Sequence, residues 1–151
     1  MSLTEPPAAV LYRWLLETGQ IEDPNENAQL DWTGIVGQMI DGDDVPDKLI
    51  AIIDIEGRTQ GRLQKSGTTV EKHGVQIRSR AVTYRDGRSK LSAIAKELDK
   101  LHRYFVTVEG ARFLINAATR GNILTLGQEE GNRRRWQFAL TVFLSITEDP
   151  E

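Results

Sequence analysis

No cysteine occurs anywhere in the chain. That absence excludes a disulfide framework, thiolate metal sites and thiol catalysis in one step. A cysteine-free chain suits a reducing cytosol without requiring one. Histidine is scarce too: His73 and His102 are the only two. His102 lies on or beside the apolar stripe of a predicted helix, where a packed or helix-terminal histidine is the plain expectation. His73 falls at a loop–strand junction. Neither has a carboxylate or second histidine at a metal-ligand spacing. No catalytic, cofactor-binding or metal-binding residue is assigned, and the chain is read as a non-enzyme.

Also missing is an apolar run long enough to span a bilayer. The opening MSLTEPPAAVLYRWLLETG puts Glu5 and two prolines where an export signal carries positive charge, and Arg13 breaks its apolar stretch. Neither an export signal nor a membrane span is expected. Nor is there a basic excess. The net charge is −3, whereas duplex binders draw much of their affinity from neutralising phosphates.

Two partial motifs fail on inspection. A calcium loop opening at Asp41, within the run Asp41, Asp43, Asp44, Asp47, needs glycine sixth and a bidentate glutamate twelfth. Those positions hold Pro46 and Ile52. The stretch Gly61 to Ser66 brushes against a phosphate-binding loop, but the residue before Lys65 is Gln64 where a glycine is required.

What is present is enough for one folded domain spanning 1–151. A hydrophobic share of 39% and a charged share of 27% are those of ordinary globular proteins, and a domain of this length builds its core without metal or disulfide. Residues 5–18 read as a helix capped by Thr4, with Pro6 and Pro7 in its first turn and Gly19 at its end. Trp32 to Met39 reads as a short strand and 41–47 as a turn. LIAIIDI, 49–55, reads as a fully buried central strand. Residues 57–73 hold few apolar side chains and three glycines, and read as a long flexible loop. A strand over 74–84 follows. A helix then opens at Asp86 and runs to 103, with Leu91, Ile94, Ala95, Leu98 and Leu101 at spacings of three and four. FVTVEG, RFLINAAT and GNILTLG supply further strands, with turns at Gly110, Gly121 and 127–132.

The clearest signal comes last. Trp136, Phe138, Leu140, Val142, Leu144 and Ile146 alternate with Arg135, Gln137, Ala139, Thr141, Phe143 and Ser145. Residues 136–146 would extend roughly 36 Å, close to the diameter of about 38 Å of a domain this size. The expected fold class is α+β: a mostly antiparallel mixed sheet, the helix 86–103 crossing one face and the N-terminal helix nearby.

The arginines admit two readings. Arg78 and Arg80 share one strand face with Gln76 before them. Arg133 and Arg135 open the last strand, with Arg134 sent to the opposite face. Together they could form a nucleic-acid surface, but a charge run split across two faces is a poor phosphate clamp, and Tyr84 alone is thin support for base stacking. A subunit-facing sheet surface fits better. Phe143 and Ala139 suit an interface core, and arginine is enriched at interfaces. The expected assembly contacts are Arg58, Arg62 and Lys65 on the loop, with Arg78, Arg80, Arg133, Arg135 and Phe143 on the sheet.

The order of segments carries a resemblance. Gly37-Gln38-Met39 precedes an Ile-rich strand ending in Asp54. Gly74-Val75-Gln76-Ile77-Arg78-Ser79-Arg80 leads to Tyr84 and an amphipathic helix. LGQEEGNRRRWQF opens the final strand. From about residue 8 to 147 the chain resembles the minor capsid or tail completion proteins of long-tailed bacteriophages, the group that includes tail terminators. It departs from them at 57–73, where the group commonly has a compact Pro/Gly turn.

The resemblance implies a virion protein, assembled in the host cytoplasm, that forms a homo-oligomeric ring with six subunits as the expected number. Such a ring caps the tail tube at the tail–neck junction and meets a neck or head-completion protein. DNA passes its lumen as cargo. It implies no cofactor and no membrane partner. A head-completion or stopper protein is the near alternative, and a small nucleic-acid-binding module the alternative of another class.

Overall fold

The computed structural model describes residues 3–23, 32–40, 45–62, 69–131 and 134–149, with the backbone course alone for 58–62 and 69–71. The elements in chain order are α1 (Pro7–Glu17), β1 (Thr33–Val36), β2 (Leu49–Arg62), β3 (Thr69–Ala81), α2 (Tyr84–Lys100), β4 (His102–Val108), β5 (Ala111–Arg120), β6 (Leu124–Gln128) and β7 (Trp136–Glu148).

All seven strands join one sheet in the order β1-β2-β3-β7-β5-β4, with β6 also paired to β7. Only β1 and β2 run parallel; every other pair is antiparallel. β6 takes the beginning of β7, from Trp136 to Ala139, and β5 takes its later part, from Val142 to Glu148. Both lie on the edge of β7 that faces away from β3.

The alternation along β7 sets the two sides of the sheet. Phe138, Leu140 and Val142 stand opposite Ser79, Ile77 and Val75 of β3, which in turn stand opposite Ile50, Ile52 and Asp54 of β2. The apolar side chains among these pack on both helices to form the core, with Ala8, Leu11 and Leu15 from α1 and Leu91, Ile94 and Leu98 from α2. α2 lies against β3, β5 and β7, while α1 touches β1, β2 and β3 and also β4. Since β1 and β4 are the two ends of the strand order, a helix touching both requires the sheet to curl.

This arrangement corrects the expected α+β fold with a helix crossing an open sheet face. The chain is mostly β, a curled mixed half-barrel with two helices. The main reason lies in 57–73, read as a loop because its side chains are polar. Arg58 pairs with Lys72, Thr59 with Glu71, Gly61 with Val70 and Arg62 with Thr69. Ladder hydrogen bonds are made by backbone groups and need no apolar side chains. Register shifts after Ile55 and Thr59 let the two strands continue. Glycine at 57 is required there, because a Cβ would run into the Lys72 carbonyl.

Local signals shift the helix ends. Thr4 does not cap α1: its backbone N–H and hydroxyl both donate to Glu148, at 2.9 and 2.8 Å. Asp54, at the level where β2 leaves the core, accepts from the Ala8 N–H at 2.8 Å. It thereby satisfies a helix-start donor and places negative charge at the positive end of the helix dipole. For α2 the cap is Thr83, whose hydroxyl accepts from the Asp86 N–H at 3.1 Å. The helix stops at Lys100, so His102 opens β4 and is exposed.

Gly87 sits where α2 crosses β7. A Cβ there would stand 2.8 Å from the Phe138 ring. Helix propensity alone favours alanine over glycine by up to about 1 kcal/mol, whereas overpacking a filled core costs roughly 1–3 kcal/mol. Gly87→Ala is therefore expected to lower the unfolding free energy by about 1 kcal/mol in urea titration; a rise would show that the ring gives way freely.

Arg120 of β5 donates to both carboxylate oxygens of Asp99 on α2, at 3.0 and 2.9 Å. That hydrogen bonding, helped by the Arg120 charge, holds the Asp99 carboxyl below its ordinary value of 3.8. A depressed folded-state pKa gives stability that is present above the unfolded value and lost as pH falls through the folded one. Asp99→Asn should accordingly flatten the loss of stability on the acid side of that value, read from urea midpoints at a series of pH values.

Candidate assembly surface

The outer side of the sheet divides into a covered half and an open half. Its positions alternate with the core positions. Leu49, Arg80 and Gln137 form one row, and Ala51, Arg78 and Ala139 the next. Ile53, Gln76 and Thr141 follow, then Ile55, Gly74 and Phe143.

Leu49 and Arg80 of the first row and the two alanines of the second are shut off from water, with Ile40, Pro46, Asp47 and Glu129 bonded over this end of the sheet. Arg80 and Arg135 are each only 1% exposed, and Leu49, Ala51 and Ala139 are buried beside them. Arg80 donates from its two terminal nitrogens to the carbonyls of Ile40 and Pro46, at 2.6 and 2.8 Å. Arg135 donates to Glu129 at 2.9 Å and to Asp47 at 3.4 Å. Gln137 binds the other Glu129 oxygen at 2.8 Å. Buried charge is tolerated only when paired and hydrogen-bonded; Arg135 is held by two carboxylates and the terminal nitrogens of Arg80 by two carbonyls, all inside their own subunit. They act as clamps that hold two connecting segments down on the sheet.

From Arg78 onward the outer face opens. Ile53, Ile55, Gln76, Arg78, Thr141 and Phe143 are all half-buried. Among the described residues Arg78 links to its own strand, donating to Gln76 at 2.7 Å. Phe143 lies opposite Gly74, which has no side chain to stand beside the ring. The result is a patch of aliphatic and aromatic surface with one arginine, the composition of an interface core. Ile53 and Ile55 were not legible as surface residues, because LIAIIDI reads as buried on both sides. The strict alternation of β3, which must pair with it, was the available signal.

The remaining expected contacts fall elsewhere. Arg58 and Arg62 lie on the distal part of β2, beyond the reach of β1. Lys65 and Arg133 fall outside the described residues. Arg134 is exposed, and its carbonyl accepts from Gln128 at 2.8 Å.

The chemistry-bearing residue types do not converge. His73 on β3 and His102 on β4 are separated by β7 and β5. Among the described residues no group of three or more His, Asp or Glu side chains could hold a metal ion. A shallow groove of about 290 Å³ between α1 and β4 is lined by Tyr12, Arg13, Leu16, Thr107, Val108 and Glu109, among others, and neither histidine reaches it.

The profile of the bacteriophage tail terminator protein family matches residues 25–146. No curated protein matches the chain.

The two central arginines should separate cleanly on substitution. Arg80→Ala removes a charged donor from two buried carbonyls and is expected to cost about 3 kcal/mol of stability. Arg78→Ala should stay within about 0.5 kcal/mol in the isolated subunit, as surface substitutions do. Paired denaturant titrations measure both, and equal losses would contradict the division of the outer face.

Proposed function

Because the chain belongs to the bacteriophage tail terminator family, we propose that it is a structural protein of the virion whose copies form a ring on the tail tube. In this reading the ring has six subunits, stops tube polymerisation and presents a docking surface to the neck. Its role is geometric, without catalysis, cofactor or membrane partner. The single observation that carries the reading is the family match, which covers most of the chain.

Two features of the subunit support it. The open half of the outer face, with Arg78 and Phe143 flanked by Ile53 and Ile55, is the kind of surface a neighbouring copy would cover. The distal part of β2, with Arg58 and Arg62, extends past the body where another subunit could meet it. Arg80 and Arg135 are no part of this proposed contact, since each is already engaged inside its own subunit. The net charge of −3 suits a channel that lets DNA pass without gripping it.

Negative-stain imaging and sedimentation of the purified protein, alone and with tail tubes, test the reading. The expected result is a concentration-dependent ring that binds tubes. A monomer at every concentration that also ignores tubes would overturn it. Co-purification with capsids in place of tails would favour a head-completion role, and retention on DNA that weakens steeply with salt would favour a nucleic-acid module. Phe143→Asp should weaken self-association at least tenfold while leaving the melting temperature of the dilute subunit within a few degrees. Unchanged assembly would remove Phe143 from the interface.

A further inference from the structure

β6 is an edge without a partner. Four of its five residues pair with β7 on one side, Leu126 standing in the register shift between Thr125 and Gly127, and among the described residues no strand lies on the other. Unlike the edges that soluble proteins protect with charge or proline, this one is apolar. Leu124 is 56% and Leu126 48% exposed, and Val82 and Tyr84 are 54% and 44% exposed. Tyr84 joins them to the strand, its hydroxyl 3.5 Å from that of Thr125. An edge strand with exposed leucines is a template for another strand.

The same chain carries a strand pair that, among the described residues, has no third strand beside it, with Lys72 linked by its side chain to Thr119 of β5 at 3.3 Å. Pairing of β1 with β2 ends at Val36 and Ile52, and pairing of β3 with β7 ends at His73 and Leu144. From Arg58 to Arg62 and from Thr69 to Lys72, β2 and β3 therefore pair, among the described residues, only with each other. A two-stranded ribbon is marginal in water by itself and gains from a third strand. Arg58–Arg62 matches β6 in length.

Charge points the same way. The ribbon strands carry Arg58, Arg62 and Lys72 against Glu71, whereas 121–131 carries no lysine or arginine and, with Glu129 held by Arg135 and Gln137, presents the exposed Glu130. Within one subunit the two lie apart. The free edge of β6 faces away from β7 near Trp136–Ala139, whereas the ribbon continues β2 and β3 on the opposite edge of β7, past its Leu144 end. A second copy can bring them together, through the head-to-tail contact between unlike surfaces that generates rings.

We propose that the free edge of β6 receives the β2–β3 ribbon of a neighbouring copy by strand addition, so that successive subunits share one continuous sheet. This rests on the ring reading above and names the contact that would build the ring. The leucines of β6 and Tyr84 would be covered by it, and Glu130, just past β6, would meet the basic ribbon.

The absence of cysteine makes the test clean. Gln60→Cys and Gln128→Cys are introduced together and separately into the full chain, which is oxidised at assembling concentration and run on a non-reducing gel. The expected result is a ladder of linked oligomers from the double variant and none from either single one. Leu126→Asp, its folding verified by circular dichroism, should raise the concentration needed for assembly at least tenfold. Rings that form without a ladder, or a linked product of monomer mass, overturn the strand-addition contact and leave the ring reading standing. A chain that stays monomeric with and without tubes overturns both.

Discussion

The register between β3 and β7 is the constraint on which the molecule depends. Setting Ile77 opposite Leu140 and Arg78 opposite Ala139 assigns every neighbouring position to one side of the sheet. A slip of one residue would send Phe138, Leu140, Val142 and Leu144 outward and bring Gln137, Thr141 and Phe143 against the helices. The cost of such a slip, several large apolar side chains exposed at about 1.5–3 kcal/mol each, is what holds the pairing. Both helices, the clamped connecting segments and the open outer patch take their places from it.

How much of this was legible follows from where each residue's environment is decided. The alternation in β7 is local, so its two faces can be read from the strand alone. The stripes of α1 and α2 are local too, and both helices form close to their expected bounds. The strands through 57–62 and 69–73 were not legible, because a ladder built from backbone groups leaves no pattern in polar side chains. Nor could the burial of Arg80 and Arg135 be seen. Each is covered by chain far away in sequence, by Ile40 and Pro46 in one case and Asp47 in the other.

The arginines therefore illustrate how one residue type splits by surroundings. Arg78 and Arg80 are two positions apart on the same face, yet one is half-open and the other sealed. Arginine suits both settings because its planar fork reaches backbone carbonyls or carboxylates with little ordering cost. A basic patch inferred from spacing alone merges the two. Separating them moves the candidate surface toward Phe143 and the isoleucines of β2, in a chain that belongs to a family of phage tail proteins.

The clamp from Arg135 to Asp47 joins residues 88 apart in sequence, and β7, which completes the core, directly follows that arginine. A nascent chain that has not yet emerged past this point has neither its interior filled nor its outer connections fastened. Closing a loop of that length carries an entropic cost before the contact stabilises anything, so a chain lacking β7 would lose both the core face and the fastening of its outer connections at one stroke.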